Sequence, residues 1–300
     1  MEKQIVILGA GESGVGAAIL AKKKGLKVFV SDSRIITKEN KKVLSNNEIK
    51  WEEGKHTMEK ILQAKEVVKS PGIPDDIEII QAIKLAGISV VSEVEFAFRY
   101  TKAKVVAITG SNGKTTTTLL VGHILKKAGL DVLIAGNIGV GFAREIANRD
   151  YSYIVLELSS FQLDGIKEFK PNVAIILNIT PDHLNRYEND FSKYIASKLR
   201  ITMNQQKEDV LIYNRDDKQI KANLKTKAKA IPISINKQIA GNGAFYKNNK
   251  ININLNNKKM TIQELALQGK HNIYNSMAAA IAGRILDVKN DIIRQSMLDF

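Results

Sequence analysis

Two stretches of this 300-residue chain combine glycine with the residue types that hold phosphates. Gly9-Ala10-Gly11-Glu12-Ser13-Gly14, a G-x-G-x-x-G pattern, follows the β-branched run Ile5–Leu8 and opens a segment with helical spacing. Its glycines permit a tight turn and close approach of a diphosphate, whose charge is met by free N–H groups at a helix start. Asp32 ends the next strand-like run, 18 positions beyond Gly14, where a dinucleotide site keeps the acid that takes a ribose. Taken alone, the pattern favours a dinucleotide such as NAD over a merely structural turn. It leaves open other diphosphates, UDP-sugars included, because backbone amides do not read what lies beyond the phosphates.

The second stretch is Thr109-Gly110-Ser111-Asn112-Gly113-Lys114-Thr115-Thr116, after the run Val105–Thr109. A glycine-rich turn with Lys and Thr places backbone donors and an ammonium around a triphosphate, and the Thr hydroxyl offers a ligand to Mg²⁺. The usual P-loop pattern has a glycine five positions before Gly113, where this chain has Ile108, so the match is to a shortened variant. An ATP site is the reading. Ligands of open parallel sheets sit outside the carboxyl ends of the strands, and there the chain carries Glu157 after Ile154–Leu156, Asn178, Asp182 and His183 after Val173–Leu177, and Asn137 in the turn 136–139. Each has a plain alternative, a helix-cap partner for Glu157 and a packed or surface side chain for His183. Beside Lys114 and Thr115 they read as candidates for one Mg²⁺–phosphate group.

These residues need an α/β frame to hold them. Short apolar runs at 5–8, 28–30, 67–68 and 88–91 alternate with helical spacing at 14–24 and 76–86, which predicts a Rossmann-like parallel sheet with helices on its faces. The pattern restarts after Tyr100, with buried-type runs at 105–109, 132–135, 153–156, 173–177 and 210–213. Two domains are expected, 1–100 and 101–300, the second of P-loop ATPase type. From Ile220 to about Met260, short alternating segments with Asn, Gly and Lys turns predict a small antiparallel flap, before helical spacing returns at 272–286 and 291–298.

Composition narrows the class. A hydrophobic content of 44% excludes disorder, and the absence of cysteine excludes disulfides, thiolate metal sites and cysteine nucleophiles, consistent with a reducing, cytoplasmic setting. No apolar run reaches membrane-span length, so no membrane partner is expected. The net charge of +14 raises nucleic acid as a partner. Two features argue against it: lysines outnumber arginines 36 to 9, and ten of them fall between Lys218 and Lys259, a stretch without an acidic residue. A solvated, Lys- and Asn-rich surface is the expectation, and no nucleic acid.

Taken in order, the motifs resemble the Mur ligases. The loop 110–116 is typical of the group, folylpolyglutamate synthetase included. More discriminating are Gly9–Gly14, Ser70-Pro71-Gly72-Ile73-Pro74, Ser92-Glu93-Val94-Glu95-Phe96, Leu158-Ser159-Ser160-Phe161-Gln162-Leu163, Asn178-Ile179-Thr180-Pro181-Asp182-His183-Leu184 and Gly269-Lys270-His271-Asn272. They extend from Gly9 to about Asn275 and are most similar to the branch that adds D-glutamate.

The resemblance implies ATP-dependent amide-bond formation between D-glutamate and UDP-N-acetylmuramoyl-L-alanine, through an acyl phosphate, in cytoplasmic peptidoglycan precursor synthesis by a monomer. The UDP-sugar is then held by Gly11, Glu12, Ser13, Gly14, Ser33, Arg34, Ser70 and Gly72, with Asn137, Gln162 and His183 along the muramoyl-alanine arm. ATP is held by 110–116, that is Gly110, Ser111, Asn112, Gly113, Lys114, Thr115 and Thr116, with Asn272 or Asn275 on the adenine or ribose side. Lys114 meets the γ-phosphate. Thr115 and Glu157 hold one Mg²⁺, and Glu157, His183 and a carbamylated Lys198 hold a second. Lys114, Glu157, His183 and Lys198 are the catalytic candidates. Such ligases carry a third, C-terminal domain, and Phe300 falls where it should begin. The expectation is a chain lacking that domain, which binds substrate and is inactive alone. Two other classes remain open: an NAD-dependent oxidoreductase, which would need Asp32 on a ribose, and a nucleotide-sensing module without metal ligands.

Overall fold

Each short apolar run becomes a strand in one of two sheets whose cores are parallel. The computed structural model describes residues 4–300, and the chain forms two compact units. One takes the residues up to Thr101 together with Gly139–Asp150 and Phe161–Phe169, the other Lys102–Ile138, Tyr151–Ser160 and Lys170–Phe300.

The first unit contains β1 (Gln4–Leu8), β2 (Val28–Asp32), β3 (Lys50–Glu53), β4 (Ala64–Lys69) and β5 (Ser89–Ser92). Their spatial order is β3-β2-β1-β4-β5, every neighbouring pair parallel. Helices cover both faces of β1, which explains its unbroken apolar run. Val6 and Leu8 pack with Ile79, Ile80 and Ile83 of helix Glu78–Leu85. Ile7, pointing the other way, faces Gly14 of helix Glu12–Lys23. Strand order reverses at β1, so the loop Gly9–Gly14 leaves the sheet at the switch point where such sheets take ligands. Helix Lys38–Asn46 and β3 are not anticipated by the apolar pattern, because their sequences KENKKVLSN and KWEE bury little beyond Leu44 and Glu52.

Two carboxylates in the segment 92–96 bind the distant pieces of this unit. Glu95, fully buried, accepts the N–H groups of Lys167, Glu168 and Phe169 at 2.8 to 3.0 Å. Glu93, 3% exposed, accepts the Ala143 N–H at 2.5 Å, at the start of helix Phe142–Asn148. That helix lies so close to helix Glu12–Lys23 that a Cβ on Gly16 would stand 3.0 Å from the Arg144 nitrogen.

The second unit holds β6 (Lys104–Thr109), β7 (Val132–Gly136), β8 (Tyr153–Glu157), β9 (Val173–Ile176), β10 (Val210–Asn214), β11 (Lys229–Ser234), β12 (Gly243–Lys247), β13 (Lys250–Leu255) and β14 (Lys258–Ile262). They form one sheet in the order β14-β13-β12-β11-β10-β9-β6-β8-β7. Here too the chain reverses direction around its first strand, placing the loop after β6 at the switch point. Helix Lys114–Lys127 contributes Leu120, Val121, Ile124 and Leu125 to a core shared with the buried run Met277–Ala282 of helix Lys270–Ile285.

The expected separate flap is corrected in part. Residues 230–234 do not belong to an antiparallel unit: β11 pairs in parallel with β10 after helix Lys218–Asn223, an ordinary crossover. Only β12, β13 and β14 run antiparallel, as the edge of the same sheet. Their turns carry Asn248, Asn249, Asn256 and Asn257 at positive φ, the left-handed conformation that asparagine tolerates and tight hairpins require. No helix among the described residues is long and apolar enough to cross a membrane.

Burial, against the Ala143 N–H and with the Glu12 charge adding, pushes the Glu93 carboxyl up to about 7 from its ordinary 4.5. Between those values the folded state keeps a proton that the unfolded chain has released. Stability therefore falls as pH rises through this window, and the loss is complete above it. Glu93→Gln keeps an acceptor for Ala143 and removes the charge. Urea unfolding at pH 8 should show the variant more stable by about 2–3 kcal/mol, with the gain vanishing near pH 4.5.

Candidate functional site

The loop between β6 and helix Lys114–Lys127 has its carbonyls engaged by the protein. Gly110 O accepts from Lys198 Nζ at 2.8 Å, Ser111 O from Lys114 Nζ at 2.9 Å, Asn112 O from Asn178 Nδ2 at 2.9 Å, and Gly113 O from the Thr117 N–H at 3.0 Å. Gly113, the N-cap, has φ +84° and offers no side-chain cap. The first amides of the helix thus have neither an intrahelical carbonyl nor a cap. Carbonyls held by the fold and amides left at a helix start make a cradle for a polyanion.

Glycine is required at Gly113 twice over, by its φ and by space, since a Cβ would stand 2.5 Å from Asn275 Oδ1. Asn275 is 4% exposed and donates to Asn272 Oδ1 at 3.1 Å, so both asparagines of helix Lys270–Ile285 belong to the loop's surroundings. Asn178 grips the loop from the other side, its Oδ1 accepting the Asn112 N–H at 2.8 Å. Ser111 Oγ donates to Thr180 O at 2.9 Å and lies 3.2 Å from the Tyr194 hydroxyl. Burial raises the Tyr194 phenol, against the Ser111 bond, so it stays protonated at neutral pH.

Glu157, 1% exposed, ends β8 beside this loop. Its Oε2 accepts from Thr115 Oγ1 at 2.8 Å and its Oε1 from Asn137 Nδ2 at 2.8 Å. A carboxylate and a hydroxyl in contact at the rim of a phosphate cradle are the hard oxygen donors that Mg²⁺ takes together with phosphate oxygens, so these residues fit that ion. Lys198 is 2% exposed, with its Nζ 4.8 Å from the centre of the Tyr194 ring. His183 has φ +49°, an exposed ring, and Asp182 Oδ2 at 3.5 Å from Nε2. Among the described residues no three His, Asp or Glu side chains cluster as a metal site. The structure thus joins Thr115, Asn137 and Glu157.

In the first unit the same logic recurs. Gly9 has φ +91°, and a Cβ on it would lie 2.5 Å from Ser70 Oγ, while one on Gly14 would lie 1.9 Å from Gly9 O. Asp32 takes the Ala10 N–H at 2.7 Å and the Arg34 N–H at 2.8 Å, and Asn40 Nδ2 donates to Ala10 O at 2.7 Å. Asp32 therefore shapes the loop itself, a use that accounts for its position without a ribose. Gly11 caps helix Glu12–Lys23 without a side-chain bond. The Ser70 hydroxyl is buried beside the loop with no partner, as a group awaiting an acceptor would be. Ser33 and Arg34 are exposed, Ser13 is half-buried, and nothing crowds Gly72. Glu12 accepts from Arg144 Nη1 at 2.8 Å, and Gln162 is 4% exposed.

A family model described as the Mur ligase middle domain matches residues 108–283, and one described as the Mur ligase MurD-like N-terminal domain matches residues 3–92. The chain belongs to the Mur ligase family. It is 52% identical to the UDP-N-acetylmuramoylalanine--D-glutamate ligase of Christiangramia forsetii, over all of this chain and 68% of that protein. It is 50% identical to the ligase of the same name from Porphyromonas gingivalis strain W83, again over 100% of this chain and 68% of the relative. The UDP-N-acetylmuramate:L-alanyl-gamma-D-glutamyl-meso-diaminopimelate ligase from Neisseria meningitides shares the fold, with a TM-score of 0.67 at 19% identity, covering 100% of this chain and 98% of that one. The middle-domain match of this Mur ligase contains the loop 110–116, Glu157, Asn178 and Lys198, and the N-terminal match contains Gly9–Gly14 and Ser70.

Motif reading selected Asn178 as a strand-end residue, and its part as a two-bond clamp on Asn112 emerges only from the fold. Asn40 carries no motif signal at all, and Tyr194 enters the sequence reading only as the residue four before Lys198. Asn178→Ala removes both bonds to Asn112 and should weaken Mg-ATP binding by calorimetry about tenfold or more, a loss of about 1.4 kcal/mol. An unchanged affinity would show that the loop keeps its shape without the clamp.

Proposed function

We propose that this Mur ligase chain binds UDP-N-acetylmuramoyl-L-alanine and ATP in the cytoplasm and serves the ATP-dependent addition of D-glutamate to the alanyl carboxylate. The observation that carries the reading is the loop 110–116 with Glu157, a polyanion cradle bordered by a buried carboxylate that accepts from the Thr115 hydroxyl. The substrate side rests on the relatives' names and on the loop Gly9–Gly14 with the unpartnered Ser70 hydroxyl.

In the chemistry proposed, the alanyl carboxylate attacks the γ-phosphorus of ATP, the bond to ADP breaks, and an acyl phosphate forms. The amine of D-glutamate then attacks the acyl carbon, loses a proton, and inorganic phosphate leaves. Lys114 exchanges its bond to Ser111 O for the γ-phosphate and offsets charge gathering there. The amides at the start of helix Lys114–Lys127 hold the phosphates in line, and Thr115 with Glu157 would hold Mg²⁺, which supplies Lewis-acid stabilisation of phosphoryl oxygens. Gly11, Ser13, Gly14, Ser70 and Gly72 would hold the UDP diphosphate, with Ser33 and Arg34 at its outer side. Asn137, Gln162 and His183 remain the candidates along the substrate arm, and Asn272 and Asn275 those for adenine or ribose.

Lys198 is buried against the cradle, where an ammonium is costly to keep. We propose that it is carbamylated in the working enzyme: its neutral amine adds to CO₂ and loses a proton, leaving an anion fit for a second cation with Glu157 and His183.

Calorimetry with UDP-N-acetylmuramoyl-L-alanine, Mg-ATP and NAD tests the reading. Saturable binding of the first two and none of NAD is expected, and NAD binding with no UDP-sugar binding would overturn it. In a complete enzyme, one that also carries the C-terminal domain, Lys114→Ala should abolish ATP-dependent phosphoryl transfer, and near-normal turnover would remove its role. Lys198→Ala should be inactive and regain part of its activity with millimolar formate or acetate. Parental activity without rescue would remove the carbamate.

A further inference from the structure

We propose that the cleft at the amino ends of β10 and β11 is a second anion site, suited to a phosphate-bearing molecule of nucleotide size. The cavity has a volume of about 820 Å³. Val210 and Lys229, which open β10 and β11, form one wall, and the turn between β13 and β14 another. The end of helix Lys270–Ile285 and the start of helix Asn290–Leu298 complete it. The loop 110–116 leaves the opposite, carboxyl end of the same sheet, from β6, so the two sites are separated by at least the length of a five-residue strand, roughly 17 Å. The inference therefore does not rest on the ligase reading.

Arg284 carries the argument. Its Nη2 donates to Lys258 O at 3.3 Å, while its Nη1 is buried with no hydrogen-bond partner, and no carboxylate among the described residues forms an ion pair with it. Partial burial lowers its affinity for the proton, and one nitrogen of the guanidinium fork is held out of water with no acceptor. A guanidinium so placed is stabilised when an anion arrives. Lys229, Lys258 and Lys289 line the same cavity, and none of them is in an ion pair among the described residues. The two acids present do not cancel this: Asp291 is held by Arg294 Nη1 at 2.8 Å, which leaves Asp287 alone. Helix Asn290–Leu298 also begins here without a side-chain cap.

The cleft accounts for part of the lysine-rich stretch 218–259, to which Lys229 and Lys258 belong. A merely solvated face would spread its ammonium groups into water. Here they line a cavity beside a half-buried guanidinium with one unpartnered nitrogen, and the surplus of positive charge fits a phosphate dianion better than a single carboxylate.

The test is a ¹H–¹⁵N NMR titration of the chain with inorganic pyrophosphate at low salt, with citrate as the carboxylate comparison. Saturable shifts are expected at residues 229–231 and 284–291, with citrate at least tenfold weaker. Lys229→Glu combined with Lys289→Glu changes only exposed side chains and should weaken pyrophosphate at those resonances at least tenfold. Arg284→Gln should do the same, and the double variant decides if that protein fails to fold. Shifts confined to 109–116, no saturation, an unchanged affinity in the double variant, or citrate binding as tightly would each overturn the proposal.

Discussion

The structure depends on one asymmetry in the backbone of residues 110–113. Four successive carbonyls are committed to donors, two of them from distant parts of the second unit, Lys198 and Asn178, and two from the helix that follows, Lys114 and Thr117. A loop whose acceptors are occupied cannot collapse onto its own amides, so those amides stay presented at the helix start, where the peptide dipoles also favour negative charge. Phosphate affinity in this picture is a property of the whole framework that holds the carbonyls. The lone charged side chain of Lys114 adds to it.

The same constraint, solved with other residues, shapes the first unit. Asp32 and Asn40 occupy the N–H and C=O of Ala10, and Ser70 sits where any side chain on Gly9 would collide. An acid at the end of a second strand is commonly read as a ribose ligand. Here its two oxygens are used on backbone amides, and the diagnostic value of its position is lost. Equal spacing in sequence therefore covers two different uses of one carboxylate.

Buried carboxylates in this protein serve mainly as organisers. Glu95 collects three N–H groups from residues 167–169, which compensates its removal from water. Glu93 has one such bond and a neighbouring negative charge at Glu12, and its proton affinity rises accordingly. Glu157 differs from both, because its partners are side chains, Thr115 and Asn137, at the edge of the phosphate cradle. Side-chain partners can turn away when a cation arrives, whereas backbone amides held in place by the fold cannot.

Period-two and period-3.6 patterning made most of the α/β frame legible, since a strand buried on both faces must be continuously apolar and β1, β6, β8 and β9 are. The polar strand β3 and the helix before it escaped because they bury little. Strand β11 was misplaced because short alternating runs look the same in parallel and antiparallel neighbours. By themselves the residues also determined that both glycine loops suit phosphates, because φ above zero and the absence of a Cβ are local demands that sequence states directly. Only the tertiary structure decided that Asp32 closes a loop, that Glu93 and Glu95 hold segments from 143 and 167–169, and that Arg284 keeps one guanidinium nitrogen buried without a partner. Those outcomes depend on which distant groups meet in space, and hydrogen bonds spanning 22 to 72 positions leave no periodic trace along the chain.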